Sequence, residues 1–127
     1  MLATAGVPTL HALRITGKRL RYALEFFREV LEPASDGKIG EAIEMMTALQ
    51  DHLGQLHDAD VTLTRLHDFL KESGDERHSP EVVMAVGAYL KVTQTRLGRL
   101  QRTAARPWRQ VNGARFRRIL GRAVAGL

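Results

Sequence analysis

Three observations predict an all-α protein, an antiparallel bundle of about four helices. Apolar residues recur at steps of three and four through most of the 127 residues. No stretch alternates with the period of two that marks a strand. Proline, glycine and serine interrupt the helical pattern at short connections, and helices with one apolar stripe joined by short loops pack as antiparallel neighbours. The length suits one domain with a real core, and no internal repeat divides it.

The first helix, over residues 11–32 (HALRITGKRLRYALEFFREVLE), organises the chain. At about 100° per residue, His11, Arg14, Lys18, Arg21, Tyr22 and Glu25 share one side. Leu13, Leu20, Ala23, Leu24, Phe27, Val30 and Leu31 form the opposite stripe. Thr9 after Pro8 is the expected N-cap, and the helix should stop near Pro33, because proline disfavours a helical residue ahead of it. Residues 34–37 connect to the next helix, with Asp36-Gly37 as the turn.

The second helix spans residues 38–72. Its stripe is Ile39, Ala42, Ile43, Met46, Leu49, Leu53, Leu56, Leu63, Leu66 and Leu70, with one longer step near Ala59 and Asp60. Gly54 inside it costs about 1 kcal/mol relative to alanine, and close approach of a neighbouring helix is the preferred reason, ahead of a kink. Residues 73–77 are a polar break. Ser79-Pro80-Glu81 then supplies an N-cap, a first-turn proline and a first-turn carboxylate. The third helix packs through Val82, Val86, Tyr89 or Leu90, Thr93, Leu97, Leu100 and Ala104, leaving Arg96, Arg99, Arg102 and Arg106 off the seam. Pro107 breaks it. Trp108, Val111, Phe116, Ile119 and Leu120 suggest a shorter fourth helix interrupted near Asn112-Gly113.

The absence of cysteine removes disulfides, cysteine-bound zinc and thiol catalysis together. No apolar run reaches the length of a membrane span, and the opening MLATAGVPTL lacks a basic n-region, so a cytoplasmic protein without a membrane partner is expected. The net charge of +5 is unevenly spread. Residues 1–35 carry five Lys/Arg and three Asp/Glu, residues 36–81 four and eleven, and residues 82–127 ten and none. An acidic middle should fold against part of its basic flanks, leaving the remaining arginines for solvent or an anionic partner.

Arg14, Lys18 and Arg21, at i, i+4 and i+7, repel one another unless something anionic answers them. Candidates within the chain lie in LQDHLGQLHDADV, residues 49–61, where Asp51 and Asp58 share a face with Gln55 and Asp60 sits nearer the core stripe. Ion pairing of Asp51, Asp58 or Asp60 with Arg14, Lys18 or Arg19 is the stronger reading for these aspartates. A metal-dependent enzyme is the weaker one. His52 and His57 are five apart and point to different sides, His57 with Asp60 supplies only two ligands, and no His-Glu-x-x-His pair occurs. No Gly-rich phosphate loop or nucleophile elbow is present either, so neither catalysis, a metal nor a cofactor is expected. His11 reads equally as a phosphate ligand and as a helix-start histidine bonded to its neighbours. Tyr22, Phe26, Phe27 and Tyr89, at helical spacing, read as packing residues before base-stacking ones.

Two motifs carry a resemblance. His11-x-x-Arg14-x-x-x-Lys18-Arg19-Leu20-Arg21-Tyr22-x-x-Glu25, followed by Leu49-Gln50-Asp51-x-Leu53-Gly54-x-x-x-Asp58-x-Asp60-Val61, resembles the CHAD domain family, the conserved histidine α-helical domain. The later helices, with Arg106-Pro107-Trp108, resemble it more loosely. The resemblance implies an all-helical polyphosphate-binding module built as two pseudo-symmetric halves around a basic groove, often found on polyphosphate granules and in some members beside a CYTH domain. By this resemblance His11, Arg14, Lys18, Arg19 and Arg21 match the family's signature helix, with Tyr22 and Glu25 as supports. The basic members of that row are the expected phosphate contacts, with His11 and Arg19 beside Arg14, Lys18 and Arg21, and the third-helix arginines Arg96 and Arg99 are expected to extend the site. A complete domain of this kind is about twice as long, and this chain resembles its C-terminal half. A fragment, a short member, and a subunit that pairs with itself or with a second half are all consistent with that. Two alternatives stand beside it: a general polyanion or nonspecific nucleic-acid binder using the basic C-terminal third, and a scaffold that recruits a partner through exposed apolar surface.

Overall fold

The computed structural model describes residues 7–72 and 78–126, with six helices: α1 (Val7–Phe26), α2 (Arg28–Ala34), α3 (Ile39–Glu72), α4 (Pro80–Thr103), α5 (Ala105–Val111) and α6 (Ala114–Ala125). The class is all-α, with no strand among the described residues. The four expected rods become six segments because the first and the last part of the chain are bent. The polar break at residues 73–77 lies outside the described residues.

Every other helix packs on α3, whose 34 residues make it a rod of about 50 Å. The α1 and α3 axes run antiparallel: the rings of His11 and His57 lie 6.5 Å apart, and six residues further along α1 the backbone of Gly17 lies against Met46 and Gln50. Two apolar clusters follow the length of α3. Leu24, Leu31, Ile39, Ala42, Ile43, Met46, Phe116, Ile119 and Ala123 form the first, joining α1, α2, α3 and α6. Leu49, Leu53, Leu56, Ala59, Leu100 and Ala104 form the second, with Leu10, Leu13, Leu97 and Trp108 packed against it. Each fully buried leucine or isoleucine contributes about 1.5–3 kcal/mol relative to exposure, so the apolar face of α3 holds the bundle together. Ala59, 2% exposed, fills the longer step in its pattern.

The first helix departs from expectation at three points. It already includes Val7 and Pro8 ahead of Thr9, which is therefore not its N-cap. It bends at Phe27 (φ −95°, ψ 12°) without losing hydrogen bonds, since Phe27 N donates to Ala23 O (3.1 Å) and Leu31 N to Phe27 O (2.9 Å). The bend turns Leu31 into the core and leaves Ala23, Phe27 and Val30 of the predicted stripe exposed, beside Phe26 at 82% exposure. Pro33 is accommodated within α2, which ends one residue later. There the buried Ser35 hydroxyl donates to Glu32 O and accepts from Ile39 N, tying α2 to the start of α3, while Asp36 (φ 59°) and Gly37 (φ 75°) make the turn.

Ser79 caps α4 by accepting from Val82 N (3.3 Å), with Pro80 as the first helical residue. Thr93, Leu100 and Ala104 are buried, and Leu90 turns inward while Tyr89 is 54% exposed, which resolves the choice left open there. The break comes at Ala104 rather than at Pro107: the proline has no N–H for the Thr103 carbonyl and its ring crowds it, so the helix yields about one turn upstream. The second interruption falls at Asn112-Gly113 as expected, and a Cβ at Gly113 would stand 2.9 Å from Arg109 O, leaving room for glycine alone. Beyond it α6 buries Phe116, Ile119 and Ala123 and is fixed to α3 by Arg115, which donates through Nη2 to Glu41 Oε2 (2.8 Å) and through Nε to Oε1.

Candidate functional site

Packing α1 against α3 at Gly17 brings the cationic row over a polar stripe of α3. Arg14, Lys18 and Arg21 form one wall of an open groove of about 450 Å³; Gln50, Asp51, Gly54, Gln55 and Asp58 form the other wall and the floor. A Cβ placed on Gly54 meets nothing within 4 Å. The expected helix approach at Gly54 is thus a misreading: the close approach is at Gly17, and Gly54 keeps the groove floor low. The α3 residues at positions 50, 51, 54, 55 and 58 repeat at one helical face, a periodicity in which Gln50 and Gly54 could have been recognised as groove residues alongside the aspartates.

The row is held on its own helix. Lys18 Nζ lies 5.6 Å and the Arg21 guanidinium 5.1 Å from the centre of the Tyr22 ring, cation–π contacts that hold both charges toward the groove. Arg21 Nε stands 3.9 Å from Glu25 Oε1, and that nitrogen is buried with no hydrogen-bond partner. Tyr22 and Glu25 thus support the row physically.

Across the groove the expected pairing is absent. Among the described residues, none of Arg14, Lys18 and Arg19 has a carboxylate of Asp51, Asp58 or Asp60 within 4 Å. Asp51 and Asp58 face the row over open space. Asp60 lies with His11, Arg14 and His57 in a separate small cavity of about 20 Å³ floored by Leu10, Leu53 and Leu56. The cations therefore keep donors that the fold does not use, and arginine and lysine with vacant donors bind phosphate oxygens, arginine as a fork and lysine as a point charge.

The structure brings together only part of the predicted set. Arg14, Lys18 and Arg21 share the groove, with His11 adjacent through the small cavity. Arg19 does not line it, because one residue beyond Lys18 is a turn of about 100° around the helix. Arg96 and Arg99 lie on α4 in a shallow surface with Lys91, Val92 and Thr95, apart from the groove. His52 does not face a ligand site; its ring bonds the Leu100 carbonyl. Among the described residues, no group of three His, Asp or Glu side chains is placed to hold a metal ion, and no helix is long and apolar enough to cross a membrane.

An all-helical protein with a cationic groove beside an aspartate-bearing core helix is the class this geometry defines. The chain belongs to the CHAD domain family, whose model matches residues 2–67, just over half of the sequence and covering α1, α2 and most of α3. The groove lies entirely within the matched residues. No curated protein and no solved structure matches the chain. The family is associated in general terms with polyphosphate binding.

Proposed function

We propose that this chain is a noncatalytic polyphosphate-binding module whose contacts come from Arg14, Lys18 and Arg21, with His11 at one end of the row. One observation carries this reading: three cations line a groove without a carboxylate within ion-pair distance across it. A polyphosphate chain carries a charge on every unit and no bases, so a row of donors along a helix suffices to hold it. Affinity then comes largely from counterion release and falls with salt. Arg19, Arg96 and Arg99 lie outside this groove and act only as outlying charges or as contacts to a longer chain. Noncatalysis is part of this proposal: the groove offers cations, amides and the Asp51 and Asp58 carboxylates, a lining suited to holding an anion, with no hydroxyl or imidazole nucleophile among its residues. A cytoplasmic location, on polyphosphate granules where the polymer is stored in them, is proposed with this reading.

Competition decides it. Fluorescent long-chain polyphosphate is displaced by unlabelled polyphosphate, single-stranded DNA or heparin at low and physiological salt. Selective displacement by polyphosphate that persists at physiological salt, and is lost in the Arg14→Gln, Lys18→Gln, Arg21→Gln variant with helicity intact, supports the reading. Equal displacement by all three polyanions, vanishing with salt, makes the protein a general polyanion or nucleic-acid binder.

A partner is a second part of the proposal, favoured by the exposed apolar face of Tyr22, Phe26, Phe27 and Val30. A second copy or a second CHAD half covers such a face. Sedimentation at several concentrations reads self-association directly, and a strict monomer with undiminished polyphosphate affinity rejects the need for a second half.

A further inference from the structure

The far end of the bundle carries a second cationic cavity, about 80 Å³, between the α2–α3 turn and α6. Ser35, Lys38, Arg115, Arg118, Ile119 and Arg122 line it: four cations, no carboxylate. Three of the four come from one helix at i, i+3 and i+7, nearly the spacing of Arg14, Lys18 and Arg21. Like charges at that spacing cost each other stability on a helix. Glu41 bonds Arg115 and lies within electrostatic reach of Lys38, so within the fold it answers those two cations and not Arg118 or Arg122. Arg118 is held by nothing closer than a 3.5 Å contact from its Nε to Ala114 O of its own helix.

We infer that this cavity is a second anion site, one that takes a single phosphoryl group. Size sets the ligand. A water needs about 10–15 Å³ of cavity space, so about 80 Å³ admits one phosphoryl group with a few waters, whereas the open groove, at about 450 Å³, has room for several units of a chain. The floor is the buried Ile119 and the Ser35 turn, whose hydroxyl is already committed on both sides. Recognition therefore falls to the charged rim, with Arg118 and Arg122 reaching from α6 and Lys38 from the turn opposite. About 18 Å of α3 separates Ile39, beside this cavity, from Asp51 in the groove, so the two sites are independent and this one does not rest on the polyphosphate reading. Free orthophosphate and the phosphate of a monoester offer the same chemistry here.

Backbone amide shifts of the full chain, titrated with orthophosphate and separately with a phosphate monoester such as phosphoserine at constant ionic strength set by chloride, test this. Saturable shifts at Lys38 and Arg115 to Arg122 are expected, and the ligand that saturates at lower concentration names the source. The Arg118→Gln, Arg122→Gln variant, with both side chains exposed, should weaken saturation about tenfold or more. The Arg14→Gln, Lys18→Gln, Arg21→Gln variant should retain it, which separates failure here from failure at the groove. Linear drift with both ligands, or saturation that survives loss of Arg118 and Arg122, overturns the site.

Discussion

The ring Nε2 of His52 on α3 stands 2.6 Å from the main-chain oxygen of Leu100 on α4. A carbonyl only accepts, so Nε2 carries a hydrogen, and a side chain that sequence spacing offers as a weak metal ligand is instead a clamp between two helices. Leu100 lies in the last turn of α4, where carbonyls lose their partners in the helix and need others. Replacing His52 with alanine removes the shorter of that carbonyl's two side-chain hydrogen bonds and leaves the Thr103 hydroxyl, 3.4 Å away, as its side-chain donor.

We expect His52→Ala to destabilise the protein by about 1–3 kcal/mol, seen as a lower urea midpoint with an unchanged slope. Polyphosphate affinity should not move, since His52 is not in the groove. An unchanged midpoint would mean that water or the Thr103 hydroxyl replaces the ring at no cost.

Asp51 and Asp58 face the cationic row without pairing with it. They therefore repel a bound polyanion. At separations of about 8 Å in bulk water each such charge is worth roughly 0.5 kcal/mol, about a factor of two in affinity. Asp51→Asn with Asp58→Asn should accordingly tighten polyphosphate binding about two- to fivefold at low salt, with a smaller gain at high salt. Weaker binding in that variant would show that the aspartates orient the arginines rather than oppose the ligand.

Gly17 and Gly54 look alike in sequence and differ in place. Gly17 is buried, and a Cβ there would lie 3.4 Å from Met46 Cε; at Gly54 it meets nothing within 4 Å. Gly54→Ala should stabilise the helix by up to about 1 kcal/mol through propensity alone. Gly17→Leu should destabilise by about 1–3 kcal/mol through overpacking between α1 and α3. Gly54→Leu tests the floor of the groove separately: thermal midpoints should hold while polyphosphate binding weakens. If it binds as the parent does, the ligand does not enter the groove.

The sequence pattern was legible wherever packing alone decides. The stripe of α3 from Ile39 to Leu56 is buried as its spacing requires, and the cap at Ser79 forms. Legibility ends where the outcome depends on how two helices sit together. Nothing local distinguishes Phe27, turned out by a bend, from Leu31, turned in by the same bend. Pro107 announces a break, but the carbonyl it starves lies four residues earlier. At the site, the row Arg14, Lys18 and Arg21 follows from one helix's geometry. The absence of ion pairs to Asp51 and Asp58 depends on the spacing between two helices, which no periodicity encodes.

Glu41 and Arg115 join α3 to α6 by a two-bonded pair at the surface. The hydrogen bond from Arg115 holds the Glu41 carboxyl below the usual glutamate range, and the same bond raises Arg115. A carboxyl whose native value is depressed stabilises the fold above its unfolded value and loses that contribution as pH falls through the native one. The difference in urea midpoint between the parent and Glu41→Gln should therefore be constant near neutral pH and shrink only toward the acid end, below the ordinary glutamate range. Because the pair is exposed, salt should reduce the difference at neutral pH as well. A gap that stays constant into acid would assign the effect of the substitution to packing, and the docking of α6 would then rest on Phe116, Ile119 and Ala123 alone.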